Sequence, residues 1–179
     1  MSSSGNLELS VTRFIDAPPA TVYRVYTERT AEWWMPKPWT TSAFDWDLRT
    51  GGRMYTEMRS PEGQTDGGEG VFLEVVPGER IVWTNAFKPG WQPQVLSNEG
   101  CDFPMVAIIT LEPEGSGTRY TARVRHWDEA AVRKHQEMGF EEGWGQCAAQ
   151  LAEVAEAEAR TPVAAECRPA TIEKRRRKR

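Results

Sequence analysis

The chain has 179 residues, 39% hydrophobic and 27% charged, with a net charge of −4; these values suit one globular domain with a tail and exclude a fibrous or wholly disordered chain. The last six residues, KRRRKR, are all basic, so the part ahead of them is acidic and offers nucleic acid no broad attraction beyond weak contacts by the tail. No apolar run approaches the ~18 residues of a membrane span, and the N-terminal MSSSGNLELS lacks the charged and apolar regions of a signal peptide.

In chain order, residues 1–6 are expected to be flexible. LELSVTRFI (7–15) alternates apolar and polar residues and reads as a strand. DAPPATVYRVYTE (16–28) reads as a helix with Asp16 as its cap and prolines at its start. RTAEWW (29–34) is a second short helix, stopped before Pro36. Four strands follow: 40–48, 53–60, 71–77 and 80–87, with PEGQTDGGEG (61–70) as a turn-rich hairpin loop. Residues 88–102, with no period and several prolines and glycines, form a long loop of the kind that often serves as a lid or rim.

Strands at 103–113 and 118–127 come next, joined by EGSG. Asp128 then caps one long helix that ends near Arg160, and residues 161–179 are expected to be disordered. Strands segregated from helices make the class α+β. The puzzle in the long helix is EMGFEEGWG, with Gly139, Gly143 and Gly145 in what should be regular helix, each costing about 1 kcal/mol relative to Ala. They are read as points of close packing or cavity wall, or of a kink. A large residue at Gly143 would then disturb folding or pocket shape.

RFIDAPPATVYRVYTE, EWWMPKPW, DLRTGGRMYTEMRSPEG, GVFLEVVPGERIVWT, ITLEPEGSGTRYTARV and EMGFEEGWGQCAAQLAE, in that order over about residues 7–158, resemble the SRPBCC (START, birch-pollen-allergen-like) superfamily. The nearest subgroups are the bacterial AHSA1-type and polyketide cyclase-like proteins. The resemblance implies a helix-grip fold: a curved seven-stranded antiparallel sheet wrapped around a long C-terminal helix, with two short helices after the first strand and a cavity between sheet and helix. It also implies binding of small apolar molecules, lipids among them, and carries no common catalytic set. The sequence departs from the family pattern at Met35, where Gly is common after the Trp pair; the expected consequence is a reshaped pocket rim.

The domain is placed at 7–160. Eight tryptophans suit an aromatic-lined interior, whether hollow or packed. The expected pocket wall is Trp34, Phe44, Trp46, Met54, Met58, Phe72, Trp83 and Phe103, with Tyr120, His126, Met138 and Trp144. The rim would come from the loop 88–102 and the Trp33–Trp39 segment. His126, on the inward face of its strand, is either a hydrogen-bonded structural histidine or a weak candidate acid/base. His135 is read as structural.

Three cysteines, Cys101, Cys147 and Cys167, without CxxC spacing argue for a reducing compartment, hence the cytoplasm, and against a metal site. No cofactor is expected. The leading expectation is non-enzymatic binding of a small hydrophobic or aromatic molecule. The alternatives are a cofactor-independent cyclase or hydrolase in the same cavity, or a co-chaperone-like domain that binds a protein partner.

Overall fold

The computed structural model describes residues 7–97 and 102–161. The expectations for residues 1–6, for the tail from 162 onward, and for Cys101 and Cys167 fall outside these. Among the described residues no helix is long and apolar enough to cross a membrane.

The elements are β1 (Glu8–Ile15), α1 (Pro19–Glu28), α2 (Thr30–Trp33), β2 (Thr40–Trp46), β3 (Arg53–Arg59), β4 (Thr65–Val76), β5 (Arg80–Thr84), β6 (Phe87–Lys88), β7 (Gln92–Pro93), β8 (Met105–Glu114), β9 (Gly117–His126), α3 (Glu129–Glu137) and α4 (Phe140–Arg160). The main sheet has seven strands in the order β1-β9-β8-β5-β4-β3-β2, paired antiparallel. This is the expected α+β helix-grip architecture. Its concave face is set by alternation. Ile109, Leu111, Tyr120, Ala122 and Val124 are buried, while their neighbours Glu112, Arg119 and Arg125 face water. Cys147, Ala148, Leu151, Ala152 and Ala155 form the buried stripe of α4 that lies in this concavity. Small residues along that stripe let the helix sit close to β1 and α1. Glu158 fixes its far end by pairing with Arg24 of α1 and with Arg29.

Four local expectations change. The first concerns β4, which starts at Thr65, so TDGGEG is strand rather than loop. Its glycines pair with β3 through the backbone alone, Gly68 opposite Thr56 and Gly70 opposite Met54, because the ladder needs N–H and C=O groups and no side chain. The second concerns residues 80–87. β5 ends at Thr84, and Phe87–Lys88 turns back to pair with Gln92–Pro93 as a separate small hairpin inside the expected loop.

The third is the cap of α1. It is Pro18, and Asp16 instead donates its backbone N–H to Glu156 Oε1 at 3.1 Å. The fourth is the long helix, which is two helices. Asp128 does cap α3, accepting from Ala131 N at 2.8 Å, but α3 ends at Met138 and Gly139 takes φ 83. That left-handed backbone suits glycine, since other residues pay for it. Of the other two glycines, an added methyl at Gly143 would touch the Pro36 ring at 3.6 Å, and at Gly145 it would meet nothing within 4 Å. Only Gly139 is demanded by geometry.

Candidate functional site

Between the β2–β5 half of the sheet and the α1–α2 segment lies a cavity of about 550 Å³. Its back wall is aromatic. Tyr26 comes from α1, Trp34 from the end of α2, Trp46 from β2 and Trp83 from β5. Tyr26 and Trp46 rings lie 5.7 Å apart. Trp144 of α4 backs the wall, edge-on to Trp34 at 5.4 Å and stacked on Trp83 at 6.5 Å. Four methionines, Met35, Met54, Met58 and Met105, complete the apolar lining, a flexible surface suited to varied apolar shapes.

The glycines of β4 shape one side of the hollow. Cross-strand partners share a face, so Asp66, Gly68 and Gly70 lie on the same side as Met58, Thr56 and Met54. An added methyl at Gly68, which lines the cavity, would meet no atom within 4 Å. At Gly70 it would sit 2.2 Å from Thr84 O. One glycine therefore leaves space, and the next permits the close approach of β5.

Most polar groups of the lining are committed to structure. Gln94 Nε2 donates to Glu69 O at 2.8 Å and Asn85 O at 2.9 Å, pinning the segment after β7 to the sheet. The Asn85 side chain donates to Phe103 O and accepts from Met105 N, both at 2.9 Å. Trp46 Nε1 donates to Thr56 Oγ1 at 3.1 Å. Arg53 pairs with Glu69 at 2.7 Å, with Lys88 4.0 Å from the same carboxylate. Ser97 donates from both its backbone N and its hydroxyl to Asp102 at 2.7 Å, and these bonds, with the Lys134 charge, hold the Asp102 carboxyl below its usual range. Burial raises the Tyr26 phenol well above its ordinary value, so it stays neutral. The Asp66 carboxylate has no ion-pair or hydrogen-bond partner among the described residues.

The expected pocket residues divide. Trp34, Trp46, Met54, Met58 and Trp83 line the cavity, and Trp144 stands directly behind it. Phe72 is fully buried behind Trp46, 5.7 Å ring to ring, and Phe44 packs on the same indole at 6.0 Å. Tyr120 is buried in the core under α4. Met138, expected to point inward, is 43% exposed, because α3 ends there and the chain turns at Gly139.

His126 and Phe103 form a second cluster. His126 Nε2 is 2.9 Å from His135 Nδ1, and His126 Nδ1 is 3.3 Å from Leu7 O. Since a carbonyl only accepts, Nδ1 of His126 carries the proton, and its Nε2 accepts from His135. Phe103 and Phe140 pack on His135 at 5.1 and 4.9 Å. Burial lowers the pKa of His126. It lowers that of His135 to about 4, helped by the neighbouring imidazole. The pair is a neutral, closed hydrogen-bond chain outside the aromatic cavity.

Sequence reasoning missed Tyr26, Met105, Asp66 and the glycine gap. Met35, expected to reshape the pocket rim, has φ 89, a left-handed backbone that glycine adopts more readily, and its side chain lines the cavity. A second hollow of about 730 Å³ lies between the β6–β7 hairpin and α3, with Phe103 and Trp127 in its lining. The two hollows share Gln94 and Leu96 as a partition. Among the described residues no group of three or more His, Cys, Asp or Glu could hold a metal ion.

A curved antiparallel sheet gripping a C-terminal helix over an aromatic hollow defines the helix-grip class. Residues 16–156 match the profile of the activator of Hsp90 ATPase homolog 1-like (AHSA1) family, and the chain belongs to that family. Among solved structures it is similar to protein NE0264 from Nitrosomonas europaea, at 39% identity and TM-score 0.79 over 87% of this chain and 98% of that one. It is also similar to protein CV1439 from Chromobacterium violaceum, at 27% identity and TM-score 0.66 over 85% and 99%. The AHSA1 protein from Silicibacter pomeroyi shares the fold at 21% identity and TM-score 0.61 over 84% of this chain and 99% of that one. No curated protein matches.

Proposed function

We propose that this protein binds a small, largely apolar molecule with an aromatic or aliphatic body in the cavity between β2–β5 and the α1–α2 segment, as a cytoplasmic protein. The observation that carries this reading is a hollow of about 550 Å³ walled by four aromatic rings and four methionines, within the range that encloses small ligands. A protein of this size would normally fill such a space, because cavities cost stability. Keeping Gly68 where a side chain would fit supports a hollow kept open for an occupant. Binding without chemistry is favoured over a cyclase or hydrolase, since both histidines are spent on each other.

The test combines native mass spectrometry of the protein purified from cells with a thermal-shift screen of aromatic and aliphatic compounds. A retained mass or a raised melting temperature is expected, and both should be lost in Gly68→Phe. No bound mass and no shift from any compound would overturn the reading.

A further inference from the structure

We infer that the ligand carries a positive charge: an amine-bearing apolar molecule whose ammonium group sits beside Asp66 and whose apolar body lies against the aromatic wall. This rests on the ligand-binding reading above and narrows it to a chemical class.

Among the described residues the cavity lining contains three carboxylates, Asp66, Glu69 and Asp102, and no Lys, Arg or His. Two of them are answered from behind, Glu69 by Arg53 and Lys88, and Asp102 by Ser97 with Lys134 near. Asp66 is left. Its register opposite Met58 puts it on the cavity side of β4, on the same face as Thr56 and Gly68. An unanswered carboxylate at the mouth of an apolar hollow repels an anion and attracts a cation. The rest of the lining suits the same ligand. Trp34, Trp46, Trp83 and Tyr26 supply an apolar, aromatic surface for the body of the molecule. A carboxylate-bearing fatty or aromatic acid would find no cationic side chain in the lining to answer its charge, and would lose its hydration against Asp66. The side-chain amide nitrogens of Asn85 and Gln94 already donate to backbone carbonyls, and Asn85 Oδ1 accepts from Met105 N. The geometry therefore favours a cation over a neutral molecule, and a neutral molecule over an anion.

The test uses a phenylalkylamine with the alcohol and the carboxylate of the same skeleton, titrated near neutral pH and followed by quenching of tryptophan fluorescence. The amine is expected to bind about tenfold tighter than the alcohol, and the carboxylate more weakly than either. The amine's lead should shrink as salt rises from about 20 mM to about 500 mM. Asp66→Asn should abolish that lead while leaving the melting temperature unchanged. If the alcohol and carboxylate bind but the amine does not lead, or Asp66→Asn keeps the lead, the charge assignment is overturned and ligand binding stands. If none of the three binds, the charge assignment falls, and ligand binding falls with it where the wider screen and native mass spectrometry also show nothing bound.

Discussion

Replacing Gly68 with Phe tests whether the hollow is the site. Gly68 has an ordinary strand backbone, and a side chain there would enter open space. A leucine deletion opens a cavity on the order of 150 Å³, so a phenyl group would occupy a substantial part of about 550 Å³. Burying roughly half of the ring, about 100 Å², at ~25 cal/mol per Å² contributes ~2.5 kcal/mol. Removing a strand glycine adds up to ~1 kcal/mol. Strain and loss of side-chain freedom offset part of this, leaving an expected gain of about 1–2 kcal/mol. Urea denaturation followed by tryptophan fluorescence measures it, and titration with any ligand found above should show at least ~tenfold weaker binding. Gly70→Ala is the opposite case on the same face. Its methyl would collide with Thr84 O at 2.2 Å, so β4 and β5 must part, and a loss of at least ~2 kcal/mol is expected. A Gly68→Phe protein that binds ligand like the parent would refute the assignment of the site. One that is strongly destabilised would refute the claim that the space is empty.

Three further predictions concern the frame of the site. Gly139→Ala should lose about 1 kcal/mol, since its backbone is left-handed, whereas Gly145→Ala, in open helix, should gain up to about 1 kcal/mol in the same denaturation assay. Stability should fall as pH drops from 6.5 towards 4. The unfolded histidine takes its proton near 6.5, while folded His135 resists to about 4, so the unfolded state binds more protons in that window; roughly 2–3 kcal/mol is lost across it. Urea midpoints of the parent should show this slope and those of His135→Phe should show less of it; equal slopes would clear the pair of responsibility. Cys147 is buried and its thiol is pushed up to about 11, so a thiol reagent near neutral pH should leave it unlabelled until the protein is unfolded, as peptide mapping would show.

Much of this protein is legible in one dimension. Alternation in TRYTARVRH and the apolar spacing of CAAQLAEVA fix which faces turn inward, because period 2 and period 3.6 are local consequences of backbone geometry. Asp128 as a cap follows from its position for the same reason. Their order along the chain sufficed for the α+β class and for the sheet around a helix. The five predicted aromatics and methionines that do line the cavity were found because inward-facing residues of neighbouring strands must meet.

What the tertiary structure alone decided is where the interior is hollow. Phe72 and Tyr120 look like Trp46 and Trp83 in the sequence, yet the first pair is packed solid and the second lines a void. That difference depends on what stands opposite each ring, and opposite strands are distant in sequence. The glycines show it best. TDGGEG reads as a loop until its backbone is seen paired with β3, and only then does Gly68 become an opening and Asp66 a charge facing it. Likewise His126 and His135 exclude one another from the cavity only once β9 and α3 are brought together. Local sequence sets the direction of each side chain; the space left between them is set by the partners it meets across the fold.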